Sequence, residues 1–488
     1  MAIVMEAQVI KVLQQCNPWW KGAENIRAES KHYKTTAFFE AQKVMGNSHP
    51  RKYAVLSGTR KLGKTTILFQ LINKLIEDGI SPKNILFISF DNPLIRMKSA
   101  EEILEIYESL HPTRGEIYLF IDELQYSRSC YDSLRSIYNK RDNAYIVATM
   151  SITPFFENEE KEETNDEFII KIDVSPLSFY EYCRFMEVED IPEIHSGFRL
   201  TKLTSYSKGL LSNLMERFTP LQQHFNRYLI TGGFPETALS EDLADSQGIL
   251  REDVADKVIM RDIPALFNVR NPLTMEKLFV YLCKNSSEIF NKQASVNDLD
   301  NIGISTVEDY LTFLEKSNLI YISAPLAVGN KAAVKGKPKI YITDAAIRNA
   351  MLMIDDTLSD EREMAIMAET AIYRHIRSLY QTRPEVSIGY YRKVRENQKE
   401  VDVVVKSSND VILCETAYKT GNTTQSSSAI IALSKSEDSN ASCAFVITKN
   451  LADYGVSKHK TKIPVFRIPA LPFIYLLGRA KAKGQSDM

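Results

Sequence analysis

The run Gly58-Thr59-Arg60-Lys61-Leu62-Gly63-Lys64-Thr65-Thr66 matches the spacing G-x-x-x-x-G-K-[ST] and carries the strongest chemical signal in the chain. The glycines let the backbone turn tightly, so that successive N–H groups point inward and cradle phosphate oxygens. Lys64 is expected to bring a positive charge to the β- and γ-phosphates of a nucleoside triphosphate, and the Thr65 hydroxyl to bind Mg²⁺. A second chemical element is the adjacent pair Asp122 and Glu123, which ends the apolar run Ile117-Tyr-Leu-Phe-Ile121. Asp122 is placed to hold Mg²⁺ through water, and Glu123 to orient or deprotonate an attacking water. Thr149 and Ser151 follow the next apolar run and are candidates for sensing the γ-phosphate, with a turn-forming role as the alternative. Asp91, at the end of the run before the acidic pair, reads as a cap or turn residue.

These groups need a scaffold that brings strand ends together. The runs Tyr53–Ser57, Asn84–Phe90, Ile117–Ile121 and Ala144–Ala148 are strand-length and continuously apolar, as buried strands of a parallel sheet are. Helical stretches at Thr65–Glu77 and Ala100–Leu110 lie between them, which predicts a doubly wound α/β domain. The phosphate loop then joins a strand to a helix N-terminus, whose dipole adds to its attraction for anions. Residues 157–167, with seven acids and one lysine, read as a solvated loop.

At 488 residues the chain is long enough for about three domains. The four pieces expected are a P-loop core at 1–180, a helical lid at 181–285, a winged helix at 286–345 and a second α/β unit at 346–488. The lid is helical apart from Thr231-Gly-Gly-Phe-Pro235, where two glycines and a proline force a turn. Helices around Ser295–Asp300 and Thr306–Ser317, then strands at Leu319–Ser323 and Lys339–Thr343, give the winged-helix order. Lys and Arg total 60 against 62 Asp and Glu, so a globally basic coat for nucleic acid is excluded and any basic surface is local. The six cysteines are far apart, without metal-ligand or disulfide spacing, and no apolar run is long enough to span a membrane. The expectation is a cytoplasmic protein with no membrane association. Trp19 and Trp20, beside Pro18, are expected to staple the N-terminal helix to the P-loop core.

The chain resembles the bacterial and archaeal AAA-type, STAND-like P-loop ATPases that carry a C-terminal domain related to restriction endonucleases. The resemblance rests on Asn17-Pro-Trp-Trp20, the phosphate loop, Phe120-Ile-Asp-Glu-Leu-Gln125, Pro176-Leu-Ser-Phe179 followed by Glu181, Gly232-Gly-Phe-Pro-Glu236, Met260-Arg-Asp-Ile263 and Pro338-Lys-Ile-Tyr-Ile-Thr-Asp344. It implies ATP, not GTP, as the nucleotide, and hydrolysis with Mg²⁺. It also implies a homo-oligomer in which an arginine from a neighbouring subunit or the lid completes the site; Arg261 and Arg227 are candidates by position.

Two further elements bear on nucleic acid. The segment Ala327–Lys339 carries Lys331, Lys335, Lys337 and Lys339 without an acid, which suits either a DNA backbone or a soluble hairpin tip. In the C-terminal unit, Glu369 on a helix and Asp402 and Glu415 on strands are similar to the PD-(D/E)-x-K nuclease core, which assembles a Mg²⁺ site. The expected lysine two residues after Glu415 is Ala417, so cleavage would require Lys419 to reach back, or Gln425 or Lys399 to substitute. An ATP-gated DNA endonuclease and a structural or nucleic-acid-sensing relic both stand as readings, beside a non-hydrolysing nucleotide-binding module.

Overall fold

The computed structural model describes residues 2–25, 32–46, 51–112, 115–128, 130–152, 168–299, 302–329, 336–354, 357–392, 400–408, 410–418 and 428–484. The chain divides into two compact units, Met1–Ser175 and Pro176–Met488. The acidic run at 157–167 lies outside the described residues.

The first unit is built on five parallel strands: β1 (Tyr53–Ser57), β2 (Ile85–Ser89), β3 (Ile117–Asp122), β4 (Ala144–Met150) and β5 (Ile169–Asp173), in the order β2-β3-β4-β1-β5. Every residue of β1 and β3 is buried, as continuous apolar runs covered on both faces must be. Helices Lys64–Glu77, Ala100–Leu110 and Cys130–Lys140 make the crossovers. The second of these starts on a capping box, in which Ser99 and Glu102 satisfy each other's backbone N–H. The strand order inserts β4 between β1 and β3, so the phosphate loop and the acidic pair face each other across one strand.

Edge strand β2 is closed by the tryptophan element. Asn17 mimics a paired strand: its Nδ2 donates to the Phe87 carbonyl at 2.9 Å and its Oδ1 accepts from the Phe87 N–H at 2.6 Å. Trp19 and Trp20 both donate their indole N–H to the Ile85 carbonyl. An exposed edge would otherwise invite pairing with another chain.

The second unit holds an eight-stranded mixed sheet. Its strands are β6 (Ile320–Pro325), β7 (Lys339–Ile342), β8 (Ser387–Arg392), β9 (Glu400–Lys406), β10 (Val411–Ala417), β11 (Ala441–Thr448), β12 (Gly455–Val456) and β13 (Val465–Pro469). They run in the order β12-β13-β11-β10-β9-β8-β6-β7. Helices Lys292–Asp298 and Ile304–Lys316 and the antiparallel pair β6–β7 follow in the expected sequence. The hairpin differs from a free wing, because β6 pairs in parallel with β8 and so extends the C-terminal sheet. Helices Glu361–Tyr380 and Ala470–Ala482 pack against each other. The segment Ile249–Asp262 is almost wholly π-helical, an uncommon form.

Candidate functional site

The loop after β1 is shaped by local backbone chemistry. Gly63 caps the helix Lys64–Glu77 in the left-handed region (φ 80°), and Lys61 is left-handed as well (φ 63°). Alternating handedness of this kind turns N–H groups to one side, which is the geometry of an anion cradle. A Cβ at Gly58 would land on the Val174 carbonyl oxygen, so the close pass against the backbone after β5 requires glycine.

Lys64, Thr65, Asp122, Glu123 and Thr149 come together, and the structure shows how each is held. The Lys64 ammonium, 5% exposed, folds back to donate to the carbonyls of Gly58 (2.6 Å) and Thr59 (2.7 Å). Thr65 Oγ1 donates to Asp122 Oδ1 at 2.9 Å, and Thr149 Oγ1 donates to the same oxygen at 2.7 Å. Thr149 also accepts the N–H of Glu123 at 2.9 Å, so its buried hydroxyl ties both members of the acidic pair to β4. Burial and the adjacent Glu123 push the Asp122 carboxyl up to about 6, against the hydrogen bonds from Thr149 and Thr65 and the charge of Lys64. A hydroxyl and a carboxylate in contact are the hard oxygen donors that Mg²⁺ takes, so the donor set fits that ion.

Glu123 adopts the left-handed region (φ 54°, ψ 46°), an uncommon conformation for a long side chain. Its Oε2 accepts from Ser151 Oγ at 3.1 Å and from Gln125 Nε2, and Gln125 also reaches Ser151 Oγ at 2.7 Å. Gln125 was invisible as a site residue in the sequence, since only the turn after β3 folds it back onto Glu123. Around the loop, Leu62 and Thr59 are buried, Arg60 Nη2 donates to the Tyr126 hydroxyl at 3.3 Å, and Thr66 lies in the first turn of the helix Lys64–Glu77. Asp91 pairs with Arg96 at 3.1 Å on a half-exposed surface, in keeping with a turn residue.

Arg227 and Arg261 belong to the second unit. Arg227 donates to the Ser240 carbonyl, and Arg261, 47% exposed at its side chain, lies 3.9 Å from the buried carboxylate of Asp262.

Three of the segments that carry the resemblance meet in a buried knot within the second unit. Gly233 N–H donates to Asp344 Oδ2 at 3.1 Å, and Leu177 N–H to the Gly233 carbonyl at 2.7 Å. Arg374 pairs with Asp344 at 3.3 Å and donates to the carbonyls of Pro176 (3.1 Å) and Leu177 (3.3 Å) and to the Tyr228 hydroxyl. The two ion-pair side chains are 4% and 5% exposed. Next to them, His375 Nδ1 lies 2.6 Å from the Ala371 carbonyl and Nε2 accepts the Phe179 N–H at 3.1 Å, which fixes a neutral ring with its proton on Nδ1. Burial and Arg374 hold His375 well below the usual imidazole range. Those segments therefore mark a packing device of the second unit.

The C-terminal acids also converge, with a correction to the hairpin. Lys339 does not lie on a basic finger: it is 3% exposed, and its ammonium sits among Asp402 Oδ1 (3.3 Å), Glu369 Oε1 (3.5 Å) and Glu400 Oε1. It opens β7, whose inward face it shares with Tyr341, and buried strand positions do not reach a DNA backbone. Lys337 is exposed, while Lys331 and Lys335 lie outside the described residues. Asp402 Oδ2 accepts the Thr416 N–H at 2.8 Å, Glu369 Oε1 accepts the Tyr341 hydroxyl at 3.0 Å, and Glu415 Oε2 is buried without a hydrogen-bond partner. Burial pushes both Glu369 and Glu415 up to about 7. Ala417 is buried in the sheet, and Lys399, Lys419 and Gln425 lie outside the described residues. Among the described residues, no group of three or more His, Cys, Asp or Glu is arranged to hold a metal ion.

Fold and phosphate loop together define the class of the first unit, a P-loop core on a parallel sheet, and residues 50–183 match the family model described as an AAA domain. Residues 222–358 and 365–469 match two models described as domains of unknown function, DUF8612 and DUF4143. Over longer spans the chain is similar to an uncharacterized protein of Haemophilus influenzae, 21% identical over 372 residues, covering 75% of this chain and 82% of the relative. An uncharacterized protein of Methanocaldococcus jannaschii is 22% identical over 375 residues, covering 75% and 74%. Among solved structures, the Aeropyrum pernix ORC1 protein in complex with DNA is 12% identical, with 69% of this chain and 96% of that chain covered and a TM-score of 0.30. AMPPCP-bound DnaA from Aquifex aeolicus is 14% identical, with 60% and 90% covered and a TM-score of 0.24. Among the described residues, no helix is long and apolar enough to cross a membrane, and no disulfide joins any two of the cysteines.

Proposed function

We propose that the protein is an ATP-hydrolysing switch, in which turnover at the first unit changes what the second unit can contact. The observation that carries this reading is the hydrogen-bonded chain Thr65–Asp122–Thr149, which links the phosphate loop to the acidic pair across β4. In this reading the N–H groups of residues 58–66 and the Lys64 ammonium bind the phosphates, with Lys64 leaving the carbonyls of Gly58 and Thr59 to do so. Thr65 and Asp122 would hold Mg²⁺, which when bound neutralises phosphate charge. Thr149 acts as a positioning residue that fixes the Asp122 carboxylate. Glu123, held by Gln125 and Ser151, orients water and takes its proton as the water oxygen bonds to the γ-phosphorus and the bond from that phosphorus to the β-phosphate oxygen breaks, with ADP leaving. Charge development at the phosphates is where Lys64 contributes most, since its ammonium is largely shielded from water.

Phosphate release from ATP by the purified full chain with Mg²⁺ tests the reading. Turnover is expected in the parent and absent in Lys64→Ala; turnover that persists in the variant defeats it. Sedimentation with and without ATP reports whether a second copy joins to supply an arginine, with Arg227→Ala and Arg261→Ala as the candidates to compare. DNA contact, in this proposal, uses the exposed Lys337 together with Lys331 and Lys335 of the same acid-free stretch of sequence, and fluorescence anisotropy of a triple Lys→Gln variant against the parent measures it.

A further inference from the structure

We propose that the ammonium of Lys339 is the resident cation of the acidic cluster on the second unit, occupying the place a divalent metal would take, so that the cluster fastens strand β7 to its neighbours and binds no Mg²⁺. A PD-(D/E)-x-K-like arrangement implies a metal held by Glu369, Asp402 and Glu415, and the residues present do not fit one. The inference is independent of the ATP site, since every residue in it lies within Pro176–Met488.

Both Asp402 oxygens and Glu369 Oε1 are already committed, and Glu415 Oε2 alone is left buried without a hydrogen-bond partner. Lys339 Nζ lies 3.3 Å from Asp402 Oδ1 and 3.5 Å from Glu369 Oε1 and also meets Glu400 Oε1. The other Asp402 oxygen takes the Thr416 N–H, and Glu369 Oε1 takes the Tyr341 hydroxyl as well. A divalent ion entering this cluster would face a fixed positive charge a few ångströms away in a medium that screens poorly.

The lysine is also built in from several directions. Lys339 and Tyr341 are two residues apart on β7 and share a face, whereas Glu369 and Tyr373 are one turn apart on the helix Glu361–Tyr380. Lys339 meets Glu369, and Tyr341 stacks on Tyr373 with centroids 4.0 Å apart and planes 8° from parallel. The ammonium also lies 5.7 Å over the ring of Tyr390 on β8. Strand, helix and ring therefore hold the cation in one position, and its charge satisfies acids contributed by the helix and by β9. A buried carboxylate group without such a cation would be costly.

The test uses Mn²⁺ as the probe, read by electron paramagnetic resonance on the nucleotide-free full chain. The parent and Asp402→Asn are expected to bind Mn²⁺ identically, because the cluster takes none. Lys339→Met is expected to gain one bound ion per chain, to lose it again when combined with Asp402→Asn, and to melt at least about 5 °C lower than the parent without Mn²⁺. Should Lys339→Met fail to fold, the charge-balanced Lys339→Met/Glu369→Gln pair is used, and it is expected to fold where Lys339→Met does not, because one acid is removed along with the cation. Three results overturn the proposal: an ion bound by the parent and lost in Asp402→Asn; a folded Lys339→Met that gains no ion; or a Lys339→Met chain that melts like the parent.

Discussion

Replacing Glu123 separates chemistry from folding more cleanly than any other change in the site. The residue occupies the left-handed backbone region at φ 54°, which costs a non-glycine side chain about 1 kcal/mol or more. Its carboxylate is held by Gln125 and Ser151, each hydrogen bond contributing roughly 1 kcal/mol. Glu123→Gln keeps the shape and one acceptor oxygen but cannot take a proton. Loss of a positioned general base lowers rate by about 10²–10⁴-fold, equivalent to roughly 2.7–5.4 kcal/mol of barrier. Glu123→Gly loses the base together with both hydrogen bonds, but it also relieves the backbone strain. Relief of strain offsets about half of the lost hydrogen bonding, so the first unit is expected to lose about 1 kcal/mol and to stay within about 2 kcal/mol of the parent in stability. Steady-state phosphate release at saturating ATP and Mg²⁺, with nucleotide affinity measured separately by a fluorescent ATP analogue, gives the readout. Both variants should bind nucleotide within a few-fold of the parent while turnover falls at least a hundredfold. A Glu123→Gln protein that turns over within about threefold of the parent would falsify the assignment of Glu123 as the base. A Glu123→Gly protein destabilised by far more than about 2 kcal/mol would mark the residue as structural.

Arg374→Met leaves Asp344 as a buried carboxylate without its ion-pair partner and removes the guanidinium donor from the Pro176 carbonyl, while Leu177 keeps the Tyr228 hydroxyl, so urea unfolding of the second unit should lose about 3–5 kcal/mol; a loss below about 1 kcal/mol contradicts the knot. His375 is held neutral by its neighbours while the unfolded imidazole protonates near pH 6.5, so below that pH the unfolded chain binds a proton that the folded chain does not. The His375 contribution to the stability of the second unit should therefore fall by up to about 1.4 kcal/mol per pH unit on acidification from pH 6.5, opposed by Glu369 and Glu415, whose raised carboxyls take up protons first in the folded chain, and the difference in slope between the parent and His375→Gln isolates it. Gly58→Ala drives a methyl group into the Val174 carbonyl, where both partners are backbone; it is expected to cost the first unit about 1–3 kcal/mol and to abolish nucleotide binding, as read by thermal melting with and without ATP.

Much of the first unit was legible in the sequence because its chemistry is local. Glycine spacing, a helix N-terminus and an apolar strand ending in two acids are all short-range patterns, and the parallel sheet follows from runs that are apolar on both faces. The resemblance added the segments at 176–179, 232–236 and 338–344 without saying what they do. Their meeting around Arg374 depends on residues more than a hundred positions apart, and no local pattern encodes such a contact.

Lys339 shows most clearly where sequence reading stopped. Sequence by itself determined that four lysines fall in one acid-free segment, that Ala417 stands where a lysine was expected, and that Glu369, Asp402 and Glu415 lie on a helix and two strands. Only the tertiary structure decided that the last of those lysines faces inward, because β6 pairs with β8 and so places β7 and the hairpin base on the C-terminal sheet, beside the helix Glu361–Tyr380. The same holds for Glu123: the acid was visible in sequence, but the Gln125 and Ser151 side chains that aim it come from a turn and from beyond β4. Residue type and spacing thus fix which chemistry is available, whereas the pairing of distant strands fixes which charges meet, since a side chain's partner is set by where the backbone returns in space.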